Sequence, residues 1–176
     1  LSPQVKEVLS DLGVNFSRRM AGFSRPSGLD QSYDSGIFRF HFTLEGRNSV
    51  SPDDNDKDGV PDYINMIAEA FNRAAENHIT QTGFTHPPTD SWYADNGESD
   101  AYDIYVFELG PSLFGYTQME YEADNGSGNN EFSAAEEINA ATSYIAMRNN
   151  YQNFPLNEQE SVQVTAAHEL FHAIQF

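Results

Sequence analysis

Two histidines four positions apart, with a glutamate directly after the first, lie in the segment TAAHELFHAIQF, residues 165–176. Residues i and i+4 of a helix share one face with Cβ atoms about 5–6 Å apart, so His168 and His172 can bind one Zn²⁺ at about 2.0–2.1 Å each. Glu169 is rotated away from that line and can take a proton from zinc-bound water, whose pKa the ion lowers to about 7. The spacing therefore predicts zinc-activated water that attacks a polarised carbonyl.

The residues beside these three are uncharged, as a buried active-site helix requires. They are Thr165, Ala166, Leu170, Phe171, Ala173 and Ile174. An unpaired carboxylate is costly inside such an apolar stretch, so the presence of Glu169 favours a chemical role. The alternative is an ordinary apolar helix that carries two partly buried structural histidines.

A second set of metal-ligand side chains lies in the segment DNDKDGVPD, residues 54–62, which follows the pattern D-x-D-x-D-G-x-x-D. Alternate residues of a tight loop bring their oxygens to one point, and Gly59 lets the chain reverse around it. Ca²⁺ takes six to eight oxygens at about 2.3–2.6 Å. We therefore predict a calcium site whose ligands are the carboxylates of Asp54, Asp56, Asp58 and Asp62 and the carbonyl of Val60.

This loop departs from an EF-hand, because its twelfth position is Asn65 where an EF-hand has glutamate. It resembles the calcium loops of dockerins and thrombospondin repeats instead. The clustered carboxylates repel one another unless a cation neutralises them, so the predicted role of calcium is structural. Calcium would then fix the start of the helix that begins near Pro61. The alternative is an aspartate-rich turn on the surface.

The elements that must position these residues follow from the spacing of apolar side chains. In chain order we predict a strand at 37–46, a long helix at 61–78, a strand at 102–109, an edge strand at 113–121, a buried strand at 142–148 and a helix that begins after Asn157. One face of the first strand carries Phe38, Phe40, Phe42 and Leu44. Asn157 and Glu160 have the spacing of a capping box. The mixture of strands and helices predicts an α+β fold.

Charge and composition exclude several classes of partner and site. The chain has a formal net charge of -18, and residues 48–176 hold 22 acidic but only three basic side chains. A surface this acidic repels phosphate backbones, so no nucleic-acid partner is expected. No apolar run reaches the roughly 18–20 residues of a membrane span. Because the chain has no cysteine, any transition metal must be held by His, Asp or Glu.

The N-terminal residues 1–36 differ in composition from the rest. They are predicted to form a helix at 2–13 and a linker at 16–36 that is rich in Ser, Gly, Pro and Arg. One hypothesis is that this segment, which carries Arg18, Arg19 and Arg25, lies across the acidic body as an inhibitory or chaperoning prosegment of a zymogen. The alternative, which we favour, is an N-terminal extension that packs on the sheet.

Four segments, in chain order, resemble secreted bacterial zinc metallopeptidases of the zincin class: DKDGVPDY, YDIYVFEL, SYIAMRNN and AHELFHAIQF. The resemblance covers roughly residues 37–176. It implies a zincin-like N-terminal catalytic subdomain, in which a twisted mixed β-sheet carries a backing helix and an active-site helix. It also implies zinc bound by His168 and His172, Glu169 as general base and acid, a protein or peptide substrate, and an extracellular location reached through a signal peptide that is not in this chain.

One departure indicates which zincins the chain resembles. Metzincins have Gly three residues after the second His and a third His beyond it, whereas here Gln175 is followed by Phe176. The resemblance is therefore to a gluzincin-like arrangement, in which a later helix supplies a glutamate as third ligand. His41, His78 and His86 are expected to be structural. We expect a C-terminal subdomain outside these 176 residues to supply the third ligand, and the 176-residue fragment to be inactive alone.

Two other functions compete with a metallopeptidase. The first is a non-catalytic calcium-binding secreted or adhesion module with a relict zinc helix. The second is a zinc hydrolase that acts on something other than peptides, since no residue here is predicted to bind substrate side chains.

Overall fold

The computed structural model describes residues 24–88, 90–91, 96–122 and 140–176. The predicted helix at 2–13 lies outside these residues, and so do Arg18 and Arg19. The sites predicted at residues 54–62 and 165–176 lie within them.

Five strands and two helices make up the described fold. In chain order they are β1 (Gln31–Ser35), β2 (Phe38–Phe42), α1 (Asp62–Ala75), β3 (Tyr102–Phe107), β4 (Gly115–Glu122), β5 (Ala141–Arg148) and α2 (Glu158–Gln175). A π-helical segment, Glu76–Gln81, continues α1. The chain therefore has the mixed α+β fold that the sequence predicts.

The five strands form one mixed sheet in the order β1-β2-β3-β5-β4. The central strands β2, β3 and β5 are parallel, whereas β1 and β4 pair antiparallel at the two edges. Every residue of β5 is buried, as expected for a central parallel strand. The strands predicted at 102–109, 113–121 and 142–148 are confirmed, including the edge position of the second.

Both helices pack on one face of the sheet and enclose the core. Its fully buried side chains include Phe38 and Phe40 of β2, Phe71 of α1 and Leu170 of α2. The buried residues of α1 recur at three- and four-residue spacing, so the predicted apolar stripe packs into this core. Because α2 contacts α1 as well as β4 and β5, it is held from two sides.

The apolar alternation predicted for the first strand ends earlier than expected. Phe38, Phe40 and Phe42 are buried, but β2 stops at Phe42 and Leu44 is 44% exposed. The chain bends after the strand, and the buried Val50 returns to it through a 3.0 Å hydrogen bond from its N–H to the carbonyl of Thr43. The bend therefore removes Leu44 from the core face.

The composition of residues 16–36 does not predict strand β1. The linker expected over residues 16–36 is wrong for Gln31–Ser35, which pair antiparallel with Phe38–Phe42. Gly36 makes the hairpin turn with φ of 61°, and a Cβ there would overlap the side chain of Asn72. Most of β1 is exposed because it lies at a sheet edge, so it lacks the apolar alternation of a half-buried strand.

Helix α2 begins where its cap residues predict. The side chain of Asn157 accepts a 2.9 Å hydrogen bond from the backbone N–H of Glu160. The reciprocal half of the capping box is not among the hydrogen bonds of the described residues. Glu158 instead accepts a 3.2 Å bond from the backbone N–H of Tyr151, which ties the first turn of the helix to the end of β5.

Arg25 lies on the sheet face opposite the helices. Its guanidinium pairs with the carboxylates of Asp90, Asp103 and Glu120, the last at 2.7 Å, and His41 Nε2 lies 2.7 Å from Asp103. We call these five residues the Arg25 cluster. Arg25 is 9% exposed. This position agrees with an N-terminal extension that packs on the sheet.

The charges of the Arg25 cluster are unbalanced, since three carboxylates share one guanidinium. Burial raises the pKa of Asp90 and of Glu120, although Arg25 opposes the rise in both. Burial also opposes the charge on Arg25, but its hydrogen bond with Glu120 and the surrounding charges raise the pKa of Arg25 above its ordinary value. The carboxylates therefore depend on Arg25 for compensation.

Candidate metal centre

Helix α2 brings His168 and His172 together on its exposed side. Their Nε2 atoms are 3.0 Å apart, and the ring planes meet at 88° with centroids 4.5 Å apart. Both side chains are exposed, whereas Leu170 and Ala173 face the core. The two imidazoles therefore converge as the i, i+4 spacing predicts.

This histidine pair fits two ligand positions of a zinc site. Two nitrogens at about 2.0–2.1 Å from a tetrahedral ion lie roughly 3.3–3.4 Å apart, a few tenths of an ångström more than in this structure. The exposure of both rings leaves room for an ion and further ligands. Within the described part of the chain, no third His, Asp or Glu gathers with His168 and His172. Any third protein ligand would have to come from outside these residues.

Glu169 lies on the buried side of the helix, between α2 and β4. The residue is 7% exposed, and its Oε2 accepts a 2.9 Å hydrogen bond from the hydroxyl of Thr117. The same hydroxyl is 2.8 Å from the backbone carbonyl of Glu169. One oxygen of the Glu169 carboxylate is therefore anchored to β4 through Thr117.

Gly115 lets β4 approach the helix at the level of Glu169. A Cβ on Gly115 would lie 2.7 Å from Thr165 Cγ2, 2.9 Å from the carbonyl oxygen of Ala146 and 3.3 Å from Glu169 Cγ. Glycine within a strand marks such close approaches, so the strand segment LFGYT carried a signal at this position. Nothing in the sequence indicated that Thr117 contacts Glu169, because the two residues are 52 positions apart.

Two of the three other histidines contact neighbouring elements of the described fold. His78 Nε2 is 3.2 Å from the carbonyl oxygen of Ala167, and its ring packs against Phe171. His41 belongs to the Arg25 cluster. His86 lines a cleft of about 210 Å³ beside that cluster.

In the second predicted site, three of the four aspartates lie close together. One carboxylate oxygen from each of Asp54, Asp56 and Asp58 lies within 4.8 Å of the others. In the described part of the chain, no other three His, Asp or Glu residues come this close. Carboxylate oxygens at this separation suit a hard cation such as Ca²⁺.

Backbone conformation and hydrogen bonds give the loop its shape. Lys57 and Gly59 have positive φ angles of 62° and 90°. The N–H of Gly59 donates to Asp54 at 3.1 Å, and the N–H of Val60 donates to Asp58 at 2.8 Å. The loop therefore folds around its own carboxylates.

Asp62 lies apart from the group of three. Its Oδ1 accepts a 3.1 Å hydrogen bond from the backbone N–H of Asn55, and the Asn55 amide donates to its Oδ2. Asp62 begins α1, where a carboxylate also suits the helix dipole. No contact assigns the Val60 carbonyl to the site, so the predicted ligand roles of Asp62 and Val60 stay predictions.

The aspartates of this loop repel one another. A hydrogen bond from the backbone N–H of Asp58 favours the ionised form of Asp56, but partial desolvation and the carboxylates of Asp58 and Asp54 together raise the pKa of Asp56. A bound cation would remove this repulsion.

Comparison of the chain with protein-family models, curated proteins and solved structures gives no match. Neither helix of the described part of the chain has the length and apolarity needed to cross a membrane.

Proposed function

We propose that this chain is the zinc- and calcium-binding part of a secreted metallopeptidase that hydrolyses peptide bonds with Glu169 as general base. One observation carries the proposal: the Nε2 atoms of His168 and His172 converge on the exposed side of α2, and the residue after His168, Glu169, is buried between α2 and β4. Zinc at such a pair supplies Lewis-acid activation of water and of the peptide carbonyl.

Thr117 holds one oxygen of the Glu169 carboxylate, Oε2, which leaves Oε1 for proton transfer in this proposal. A general base must lie within hydrogen-bond reach of the proton it takes, directly or through one water. In this proposal Oε1 takes the proton of the attacking water and then passes it to the leaving amine.

The arrangement of elements supports a zincin-like subdomain. The candidate active-site helix α2 packs beneath the antiparallel edge strand β4, and α1 packs behind it. We propose that a C-terminal subdomain outside the described residues supplies the third zinc ligand. The protein would act outside the cell on proteins or peptides.

A non-catalytic calcium-binding module with a relict zinc helix is the second candidate. It is favoured by a difference between the two sites. Three possible ligands lie close together in the aspartate loop, whereas no third His, Asp or Glu of the described residues lies close to both His168 and His172. Zinc binding combined with absence of peptide hydrolysis in the complete protein would support it.

The complete protein, stripped of metal, is expected to bind zinc at the histidine pair. His168→Asn and His172→Asn each remove one predicted zinc ligand. Loss of a residue that only holds a ligand in place lowers metal affinity by about 10- to 100-fold, so loss of a ligand itself should lower it further. Competition with a chromogenic chelator measures the affinity, and a library of internally quenched peptides measures hydrolysis. His86→Asn is the matched control and should bind zinc like the wild type. Unchanged affinity in both ligand variants would refute the site.

We also propose that the aspartate loop binds calcium and holds the start of α1. The backbone N–H of Asp62 donates to the carbonyl of Asp53 at 2.7 Å, so the loop closes directly onto the first turn of this helix. The helix in turn carries Ile64 and Ile67 into the core. Loss of the cation would therefore loosen a core element.

Removal of calcium by EGTA is expected to lower the melting temperature. Calcium at 100 times its dissociation constant stabilises by about 2.7 kcal/mol, which corresponds to roughly 5–10 °C for a chain of this size. Asp56→Asn should weaken calcium binding and make the melting temperature insensitive to EGTA. Asp53→Asn changes the neighbouring exposed carboxylate and should keep the full effect. A melting temperature that EGTA leaves unchanged in the wild type would contradict the assignment.

A further inference from the structure

The hydroxyl of Thr117 lies between two acceptors of one residue. Its Oγ1 is 2.9 Å from Glu169 Oε2 and 2.8 Å from the backbone carbonyl oxygen of Glu169. A threonine hydroxyl has a single proton, which the two acceptors share or receive in turn. Thr117 therefore links the carboxylate of Glu169 to the backbone of the same residue, across the gap between β4 and α2.

The surroundings restrict Glu169 further. The residue is 7% exposed, and a Cβ on Gly115 would lie only 3.3 Å from its Cγ. A glutamate on an open helix surface samples several staggered rotamers. Here the strand backbone closes one side and the Thr117 hydroxyl holds one oxygen, so the choice of side-chain rotamers is restricted.

The pleat of the edge strand places Thr117 towards the helix. Thr117 pairs with Ile145 of β5, whose side chain is in the core. The preceding residue, Tyr116, points to the opposite face, where its ring packs against Tyr144. Since side chains alternate along a strand, Thr117 is the β4 residue whose hydroxyl meets α2 at Glu169.

We infer that Thr117 is a positioning residue that holds the Glu169 carboxylate in the conformation required of the general base. The inference rests on the proposed function, because the carboxylate needs a defined position only if it transfers a proton. A misplacement of 1 Å can cost about 10²-fold in rate. The hydroxyl of Thr117 acts on the position of Glu169 and has no contact with the histidine pair among the hydrogen bonds of the described residues.

Two substitutions in the zinc-loaded complete protein test this inference. Thr117→Val keeps the shape of the side chain and removes the hydroxyl, so kcat should fall about 10- to 100-fold. KM and the zinc dissociation constant should each stay within about three-fold, since neither binding interaction is touched. Thr117→Ser restores the hydroxyl and should recover most of kcat. Thr142→Val is the matched control, because the hydroxyl of Thr142 is buried and has no hydrogen-bond partner among the described residues.

A second measurement does not depend on hydrolysis. Three-bond NMR couplings of the Glu169 side chain, assigned by comparison with Glu169→Gln, should indicate one rotamer in the wild type and averaging in Thr117→Val. In the wild type alone, the Thr117 hydroxyl proton should exchange slowly and show a nuclear Overhauser effect to the Glu169 methylene protons. This last measurement tests the hydrogen bond itself even if Thr117→Val does not fold, and absence of the effect in the wild type would overturn the inference.

The outcomes separate this inference from the proposed function. If Thr117→Val keeps the kcat of the wild type, or if Glu169 stays in one rotamer without the hydroxyl, Thr117 does not position the carboxylate. If the wild-type protein binds zinc but hydrolyses no peptide, the proposed function fails. The NMR couplings then still decide whether Thr117 holds Glu169.

Discussion

Glu169→Gln is expected to lower kcat for peptide hydrolysis by about 10²–10⁴-fold in the zinc-loaded complete protein, the range that general acid–base catalysis contributes. Glutamine has nearly the same size and can still hydrogen-bond to Thr117, so the packing between α2 and β4 is preserved. It cannot accept the proton of water at neutral pH. The zinc dissociation constant should stay within about three-fold, because His168 and His172 are unchanged.

Steady-state kinetics on the peptide that the wild type cleaves fastest measure this effect. Glu160→Gln makes the same chemical change at an exposed position in the first turn of α2 and should leave kcat unchanged. If Glu169→Gln retained full turnover, Glu169 would not be the base and the proposed mechanism would be wrong. A loss of turnover in both variants would indicate damage to the helix instead.

Arg25→Met is expected to destabilise the protein by about 3–5 kcal/mol, because it leaves the buried carboxylates of Asp90, Asp103 and Glu120 without their cation. Methionine fills a similar volume, so the loss reflects charge more than packing. For a chain of this size the corresponding fall in melting temperature is roughly 6–20 °C. Urea denaturation gives the free energy of unfolding, and a thermal melt gives the shift.

Arg39→Met provides the control for this effect. Arg39 pairs with Asp34 at 2.7 Å, but the Asp34 side chain is 56% exposed, so the pair should contribute only about 0–1 kcal/mol. If Arg25→Met cost no more than Arg39→Met, the Arg25 cluster would not stabilise the sheet.

The loss in Arg25→Met should shrink as the pH falls from 7 towards the ordinary carboxyl pKa of about 4. Burial already raises the pKa of Asp90 and Glu120, and removal of Arg25 takes away the charge that opposes this rise. Because their pKa is raised in the folded state, these carboxyls take up protons at a higher pH than the carboxyls of the unfolded chain, whose pKa values lie near about 4. Acidification therefore favours the folded state of the variant. A deficit independent of pH would mean that the uncompensated carboxylates are not its cause.

The sequence was most informative where short-range geometry dictates the result. The spacing of His168 and His172 alone places two rings on one side of a helix, and the helix pitch brings them within reach of one ion. The alternating aspartates of residues 54–58 likewise converge because the loop is short and Gly59 permits the turn. The apolar residues of α1 and β5 predicted these elements for the same reason. Residues close together in the chain face the same core, so their spacing indicates the element that they form.

The surroundings of Glu169 and Arg25 depend on contacts between residues far apart in the chain. Thr117 meets Glu169 across 52 positions, and Arg25 meets Glu120 across 95. Neither contact produces a repeating pattern in the sequence. Each involves a single side chain, and the order and register of the strands determine which residue lies next to it. The polar strand β1 was missed on similar grounds, since its pairing with β2 rather than its own burial makes it a strand. Local spacing thus predicted which residues could bind metal, whereas the packing of β4 against α2 determined the surroundings of Glu169, and the order of the strands determined those of Arg25.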